Sequence, residues 1–543
     1  FGDEAEAEAE AEAPCVLMWL LFLKAQHLDR LGHHGAALAE VDLAIAHTPT
    51  LLELYVFKAR VYKHAGNPAE AARWVEHART LDLADRYLNT KATRYLLRAG
   101  RAAEAGDVIG LFTKDGPDRE SNLYDMQCMW YELESGACHA RAGHLGPALK
   151  KFAAVEQHFT DMVEDQFDFH NYCLRKMTLR AYVRILRMEE SIWSHRFAHT
   201  AACEAIRIYL QIHDSRSRGA SPGADGSAGA GAESGGALDE AERKKLASKA
   251  KKAAAREAAK RSGEKAANDA AVAKEASGKG GKGDGDKRPA DEDPDGAKLA
   301  ATETPLADAC RRLATLHAHS AGHLETHLLA CAVHTRRGTL LLALRAAKRA
   351  AKIAPADPGV HLAIIRLFLK ADEFAALGPG AEASSGAAAA GGAKDAPALE
   401  GGTRPLAPAV RAVLDAQRVL LVTADGKPAS LAECNVAFSR QHAGVSAAAA
   451  CAAAELAVAL DPSKAAEAAQ ELASKCPLQV GACDLASAIA VHALLAAAPM
   501  ATAAPGAAAA FAERGAKRFP LAAHFGAPAP AGDATTPPAG ASH

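Results

Sequence analysis

The chain has 543 residues, a formal net charge of −2 and 24% charged side chains. That length exceeds what one compact core supports and implies several domains or a solenoid, and the near-balance of charge leaves no global field that would select nucleic acid or a membrane. Hydrophobic content reaches 49% largely through alanine, a weak core former but the best helix former, and only 5% of residues are aromatic.

Residues 1–14 alternate Glu and Ala, bury nothing and are expected to be disordered or a solvated helical extension. The apolar run from Val16 to Leu23 is short and follows those acids, the reverse of the basic start of a secretory signal. No segment approaches the roughly 20 apolar residues that a membrane span needs. A soluble, cytoplasmic protein is therefore expected. The first repeat begins almost at Phe1, so repeats N-terminal to it are expected to be missing from the chain.

Residues 15–214 predict a tetratricopeptide arm. Gly32, Gly66 and Gly100 recur at a spacing of 34 residues, and the frame around the first two repeats with them: Ala25/Ala59, Leu28/Tyr62, Ala37/Ala71, Val41/Val75, Ala44/Ala78 and Pro49/Leu83. The third copy keeps Leu96, Ala105, Ile109 and Phe112. Small residues let two antiparallel helices approach closely, larger ones fill the groove between pairs, and one pair cannot bury its own apolar face, so the pairs must stack. After a polar loop containing Gly116-Pro117, a degenerate fourth copy carries Gly136, Gly143, Ala148, Phe152 and Val155. From Phe167 to His213, apolar residues at helical spacing (among them Tyr182, Ile185, Leu186, Ile206 and Tyr209) predict long core helices.

Residues 215–304 predict a disordered linker. Gly/Ser-rich sequence is followed by a block, Arg243 to Lys265, with ten Lys or Arg against two Glu and no apolar stripe. A flexible chain of that length spans roughly 50 Å, so the segment reads as a tethered basic arm. Residues 305–376 resume the repeat, with Cys331, His334, Gly338, Ala343, Ala347, Ala350 and Pro355 in register and a helix from about Pro358 to Ala371. Residues 377–405 are a Gly/Ala/Ser insertion expected to be disordered. Helices are expected near 406–422, 430–438, 445–459, 463–474, 484–497 and 506–518, within a helical region over 406–526, and 527–543 is an Ala/Pro tail. The fold class is all-α: a tetratricopeptide-type α-solenoid, a right-handed superhelix of helix pairs interrupted by a basic linker.

Catalytic motifs are wanting. There is no P-loop, G-x-G-x-x-G or G-x-S-x-G, and the acetyl-CoA loop pattern R/Q-x-x-G-x-G/A is missed by the run beginning at Arg141, which falls in a repeat turn. His317, His319, His323, His327 and His334 with Cys331 invite a metal reading, and His323, His327 and Cys331 share one helix face. The glutamate between His323 and His327 is in the wrong register for a metalloprotease, and His334 and Cys331 occupy packing positions, so no metal is expected. Eleven cysteines without a C-x-x-C favour free thiols over a disulfide framework.

The best constellation is basic. Arg60, Lys63 and His64, at i, i+3, i+4, share one face of a repeat's first helix, and Lys91, Arg94 and Arg98 follow in the next repeat. The choice is between a solvated basic face and a polyanion site. The lysine block could contact nucleic-acid phosphates, yet it lacks the interleaved aromatics of single-strand readers, and the alternative is a solubilising linker.

The run Lys58-Ala-Arg-Val-Tyr-Lys-His-Ala-Gly-Asn67 with Glu70-Ala-Ala-Arg-Trp74 resembles the large auxiliary subunit of the N-terminal acetyltransferase A complex (NatA). So do Asp85-Arg-Tyr-Leu-Asn-Thr-Lys91, Met126-Gln-Cys-Met-Trp130, Asp165-Gln-Phe-Asp-Phe-His170 and Glu303-Thr-Pro-Leu306. The resemblance covers most of the chain, about the C-terminal half of the family's length, and weakens after residue 440. It implies a non-catalytic scaffold that wraps a catalytic subunit of the GNAT superfamily, with acetyl-CoA on that partner only, and brings it to the ribosome for co-translational N-terminal acetylation. Ribosomal RNA would meet Arg243 to Lys265. A second acetyltransferase and a small regulatory subunit are further partners the resemblance admits; DNA and membrane are not among them. It also implies an inositol hexakisphosphate site between the subunits, on Arg60, Lys63, His64 and Lys91. The competing reading is a co-chaperone-type tetratricopeptide adaptor, but its carboxylate clamp is missing: Val56 and Arg60, or Phe22 and Gln26, stand where Lys and Asn are needed.

Overall fold

A computed structural model describes residues 14–113, 119–164, 173, 175–218, 293–376, 406–421 and 429–526. The expected loop at Gly116-Pro117, the lysine block, the 377–405 insertion and both terminal extensions lie outside the described residues, apart from Pro14.

The described residues contain helices and turns and no strand. Three antiparallel pairs come first: α1 (Pro14–Arg30) with α2 (His34–His47), α3 (Leu52–His64) with α4 (Pro68–Leu81), and α5 (Arg86–Arg98) with α6 (Ala102–Gly110). A short α7 (Arg119–Asp125) leads to a fourth pair, α8 (Met129–Arg141) and α9 (Leu145–Glu164). Then come α10 (Leu179–Glu189), α11 (Arg196–Ser217) and the single-turn α12 (Ala297–Ala300).

The solenoid continues with α13 (Pro305–His319), the pair α14 (Leu324–Arg336) and α15 (Leu340–Ile353), and α16 (Pro358–Ala376). The last stretch comprises α17 (Pro408–Ala416), α18 (Leu431–His442), α19 (Ala447–Leu460), α20 (Ala465–Lys475), α21 (Leu485–Ala496), the short α22 (Met500–Ala503) and α23 (Ala507–Arg518). The differences from expectation are that α16 runs one turn further, that α7 begins within residues 115–122 expected as a loop, that the end of α11 and all of α12 fall inside the 215–304 segment expected as a disordered linker, and that α22 is an additional helix.

The 34-residue register reflects one backbone event. Gly32, Gly66, Gly100, Gly143 and Gly338 each turn a helix pair with φ between 76° and 83°, a left-handed conformation that costs an L side chain free energy. At Gly66, the turn closes with Asn67 N donating to Tyr62 O at 2.9 Å, and the Asn67 carboxamide then caps α4 by accepting from Glu70 N at 3.1 Å. The repeat positions fill the core: Ala25, Ala59 and Ala92 are wholly buried, as are Ala37, Ala105, Val41 and Val75. Gly136 is small for a steric reason, since a Cβ there would stand 2.8 Å from the Phe152 ring.

Expectation and structure part at α10. Its apolar residues were expected in the core, but none is buried, and Leu179 is 76% exposed. A strongly amphipathic period reports that a helix has an apolar face, not that the same chain covers it. By contrast Ile206 and Tyr209 of α11 are core residues.

The C-terminal end returns to the second repeat. Ala523 N donates to Gly66 O at 3.1 Å, and Leu521 packs against the core of α1 to α3. The turn at Gly66 receives Leu485 so closely that a Cβ would lie 2.1 Å from its Cδ2.

Candidate functional site

The basic residues singled out in the sequence lie beside that junction. Arg60, Lys63 and His64 occupy the last turns of α3, and Lys91 lies on the neighbouring α5. The repeat architecture sets one first helix beside the next, so cations 28 to 38 residues apart become neighbours.

Lys63 carries the signature of the cluster. Burial holds its ammonium below the usual lysine range, and the charges of Arg98, Arg60 and Lys91 push the same way, with only Asp29 opposing. No hydrogen bond or ion pair engages Arg60, Lys63 or Lys91 among the described residues. Arg60 lies over the Phe57 ring at 5.9 Å and Lys91 over Tyr87 at 5.1 Å, contacts that orient a cation without neutralising it.

The other three basic residues are engaged within the fold. His64 Nδ1 contacts the Asp29 carboxylate at 2.8 Å and 3.1 Å, and His34 Nδ1 meets the same carboxylate at 3.2 Å. Although burial opposes it, these hydrogen bonds and charges hold Asp29 well below the usual carboxylate range. His64 therefore presents only Nε2 to an outside ligand. Arg98 makes a two-pronged bond to Glu134 of α8, and Arg94 lies 3.5 Å from that carboxylate with its guanidinium over Trp130. The structure thus brings Arg60, Lys63, His64 and Lys91 together, with Arg98 among them, and assigns Arg94 and Arg98 to an interrepeat ion pair.

Sequence reasoning missed Asp29 and Glu134, whose partners lie one repeat away. It also missed a second cationic face. Arg345, Lys348, Arg349 and Lys352 line an open groove on α15 beside Val413 of α17. Their i, i+3, i+4, i+7 spacing was a legible signal. Lys58, by contrast, is a buried cation consumed by folding: its Nζ meets Asp42 at 2.6 Å and sits 3.6 Å from the Trp74 ring centre.

The histidines of this stretch are engaged within the fold, with the His317 and His327 rings 5.8 Å apart and His317 acting on His334. His327 contacts the Ala321 carbonyl through Nε2 at 2.8 Å, and His334 contacts Thr339 Oγ1 at 3.0 Å. Cys331 faces the Ala363 carbonyl in the core, and burial pushes its thiol up to about 11. No helix among the described residues is long and apolar enough to cross a membrane. The run beginning at Arg141 lies in the Gly143 turn, inside a helix pair rather than at an acetyl-CoA loop.

A family model described as N-terminal acetyltransferase A, auxiliary subunit, matches residues 1–350. The chain is 45% identical over 364 residues to the N-terminal acetyltransferase A complex auxiliary subunit NAA15 of Arabidopsis thaliana, covering 67% of this chain and 38% of that protein. It is 46% identical over 353 residues to N-alpha-acetyltransferase 16, NatA auxiliary subunit, of Homo sapiens, covering 65% and 40% respectively. A solved structure of Naa15/Naa10 bound to HypK-THB superimposes with a TM-score of 0.52 and 28% identity, over 73% of this chain and 45% of that one. The chain spans about two fifths of the length of the curated relatives it matches. The family match takes in every repeat that carries Arg60, Lys63, His64 and Lys91, and the chain belongs to the auxiliary subunits of the N-terminal acetyltransferase A complex.

Proposed function

We propose that this chain acts as a scaffold that wraps a catalytic GNAT-family acetyltransferase, and that Arg60, Lys63, Lys91 and the outward nitrogen of His64 bind inositol hexakisphosphate between the two subunits. The observation that carries the ligand is the environment of Lys63, half-buried among Arg60, Lys91 and Arg98. Gathered cations repel one another until an anion enters, and hydrogen bonds to charged groups contribute roughly 1.5–3 kcal/mol each in good geometry. Arg60 can grip a phosphate with two parallel bonds, whereas Lys63 and Lys91 act as point charges. Naa10 beside Naa15 in the related structure supports the catalytic partner, and HypK-THB there supports a further small one.

Acetyl-CoA belongs on the catalytic subunit, so the purified chain alone turns over no peptide. The same scaffold carries its partner to the ribosome, where the segment from Arg243 to Lys265 meets ribosomal RNA phosphates in the cytoplasm. Binding of that kind weakens steeply with salt, and co-sedimentation with and without the segment measures it. Equal sedimentation of the two chains at every salt concentration would return the segment to the role of a solvated linker.

Thermal melting of the two-subunit complex tests the ligand site. Inositol hexakisphosphate raises the melting temperature of the native complex, because a ligand bound to the folded state stabilises it. In the double variant Lys63→Glu, Lys91→Glu the rise is lost. An undiminished rise in that variant would move the site elsewhere, and no rise in the native complex would remove it.

A further inference from the structure

Two helices on either side of the long undescribed segment bring metal-ligating side chains to one place. His199 and Cys203 stand one turn apart on α11, Glu325 lies in the first turn of α14, and His323 precedes it. One donor atom from each of His199, Cys203 and Glu325 falls within 4.8 Å of the others. The Cys203 sulfur is 3.6 Å from His199 Nε2 and 3.9 Å from Nδ1. Zinc bonds of about 2.3 Å to sulfur and about 2.0–2.1 Å to nitrogen, opened to a tetrahedral angle, set those two donors about 3.5 Å apart. The exposed His323 ring packs against His199 with centroids 4.5 Å apart and lies outside that three-residue cluster, so the fourth position is open to water.

Ordinary packing accounts for only part of this arrangement. Arg207 donates to Glu325 Oε1 and to Glu204 Oε1, so an ion pair explains one oxygen of Glu325 and leaves Oε2 for a cation. It does not explain why two imidazoles and a buried thiol converge beside it. One thiolate and one carboxylate balance a divalent charge, and one neutral imidazole with a water completes four ligands.

We propose that His199, Cys203 and Glu325, with a water in the fourth position, form a site for a zinc-class divalent cation that staples α11 to α14. The mixed sulfur, nitrogen and oxygen donors suit zinc and disfavour magnesium or calcium, which take oxygen alone. The site goes beyond the ligand reading of the second repeat and shares no residue with it. It fastens the arm before residue 218 to the arm after residue 293, and a clip that closes a long loop removes the most entropy from the unfolded chain.

The test uses the full chain, stripped of metal by a chelator and titrated with cobalt(II). We expect one equivalent of cobalt with a thiolate-to-metal charge-transfer band and the d–d bands of a tetrahedral ion, all displaced by zinc. Zinc then raises the melting temperature of the chain. Cys203→Ala, which places an alanine among the buried Ala201, Ala202 and Ala205, keeps the helical circular dichroism and loses the charge-transfer band. His199→Gln, at a partly exposed position, loses the stoichiometric equivalent. No band in the native chain overturns the proposal, as does a band of equal strength in Cys203→Ala.

Discussion

The second repeat and the last helices treat positive charge in opposite ways. Arg514 of α23 donates to the carbonyls of Ala473 and Cys476, and Arg518 to that of Leu478. These oxygens close α20 and the turn after it, where a helix end leaves carbonyls without partners. Each of those arginines completes the fold. Arg60, Lys63 and Lys91 find no such acceptor among the described residues, although Arg94 and Arg98 beside them share Glu134. A cation that folding consumes has a carbonyl or carboxylate in place, and Lys63, kept for a ligand, has cations around it with Asp29 the one opposing charge.

The same two regions differ in packing. The N-terminal repeats fill their grooves with Leu54, Phe57, Tyr95 and Leu96, whereas α19 and α20 meet largely through alanines, and Phe511 is the one aromatic wholly buried in their cluster among the described residues. Phe511→Ala is therefore expected to cost about 3–5 kcal/mol, with the loss confined to the C-terminal helices. Urea unfolding followed by limited proteolysis would reveal it; a cost below 1 kcal/mol would mean that the aliphatic contacts of Val491, Leu495 and Met500 hold this cluster without it.

Gly66 and Gly100 sharpen the comparison, since they share one turn geometry with φ of 83° and 82°. Nothing lies within 4 Å of a Cβ at Gly100, so Gly100→Ala is expected to cost only the backbone strain of about 1–2 kcal/mol. Gly66→Ala adds displacement of Leu485 and weakens the return of the C-terminal end, and should cost more. Equal midpoints for the two variants in urea would show that this return contributes nothing to stability.

His334 gives a pH test away from the cationic site. Burial first, then His317 and Arg337, depress it from 6.5 to about 4 in the folded chain. The unfolded chain takes up the proton first, so the stabilisation is full above about 6.5 and is lost as pH falls toward about 4. His334→Gln should flatten the fall in melting temperature across that interval. An unchanged slope would assign the acid sensitivity to other groups.

The smallest effects carry opposite signs within one basic patch. Without ligand, Lys63→Gln relieves repulsion and should leave the chain unchanged or stabilise it slightly, while Arg98→Gln removes the Glu134 pair and should cost about 0.2–1 kcal/mol. Destabilisation by both, measured in the same buffer without polyanion, would show that Lys63 has a structural partner.

The sequence by itself determined the repeat and one face of the site. A left-handed turn at Gly32, Gly66 and Gly100 and small residues at helix crossings are local requirements, so they surface as a period of 34 residues. The i, i+3, i+4 spacing of Arg60, Lys63 and His64 is likewise a property of one helix. Tertiary structure alone decided which charges are spoken for. His64 meets Asp29 across 35 residues, Arg98 meets Glu134 across 36, and Ala523 reaches back to Gly66. It alone exposed the apolar face of α10 and set His199 and Cys203 against Glu325. Periodicity records the backbone geometry of each helix pair, whereas the choice of partner depends on how successive pairs stack, and that offset is set by side chains far apart in the chain.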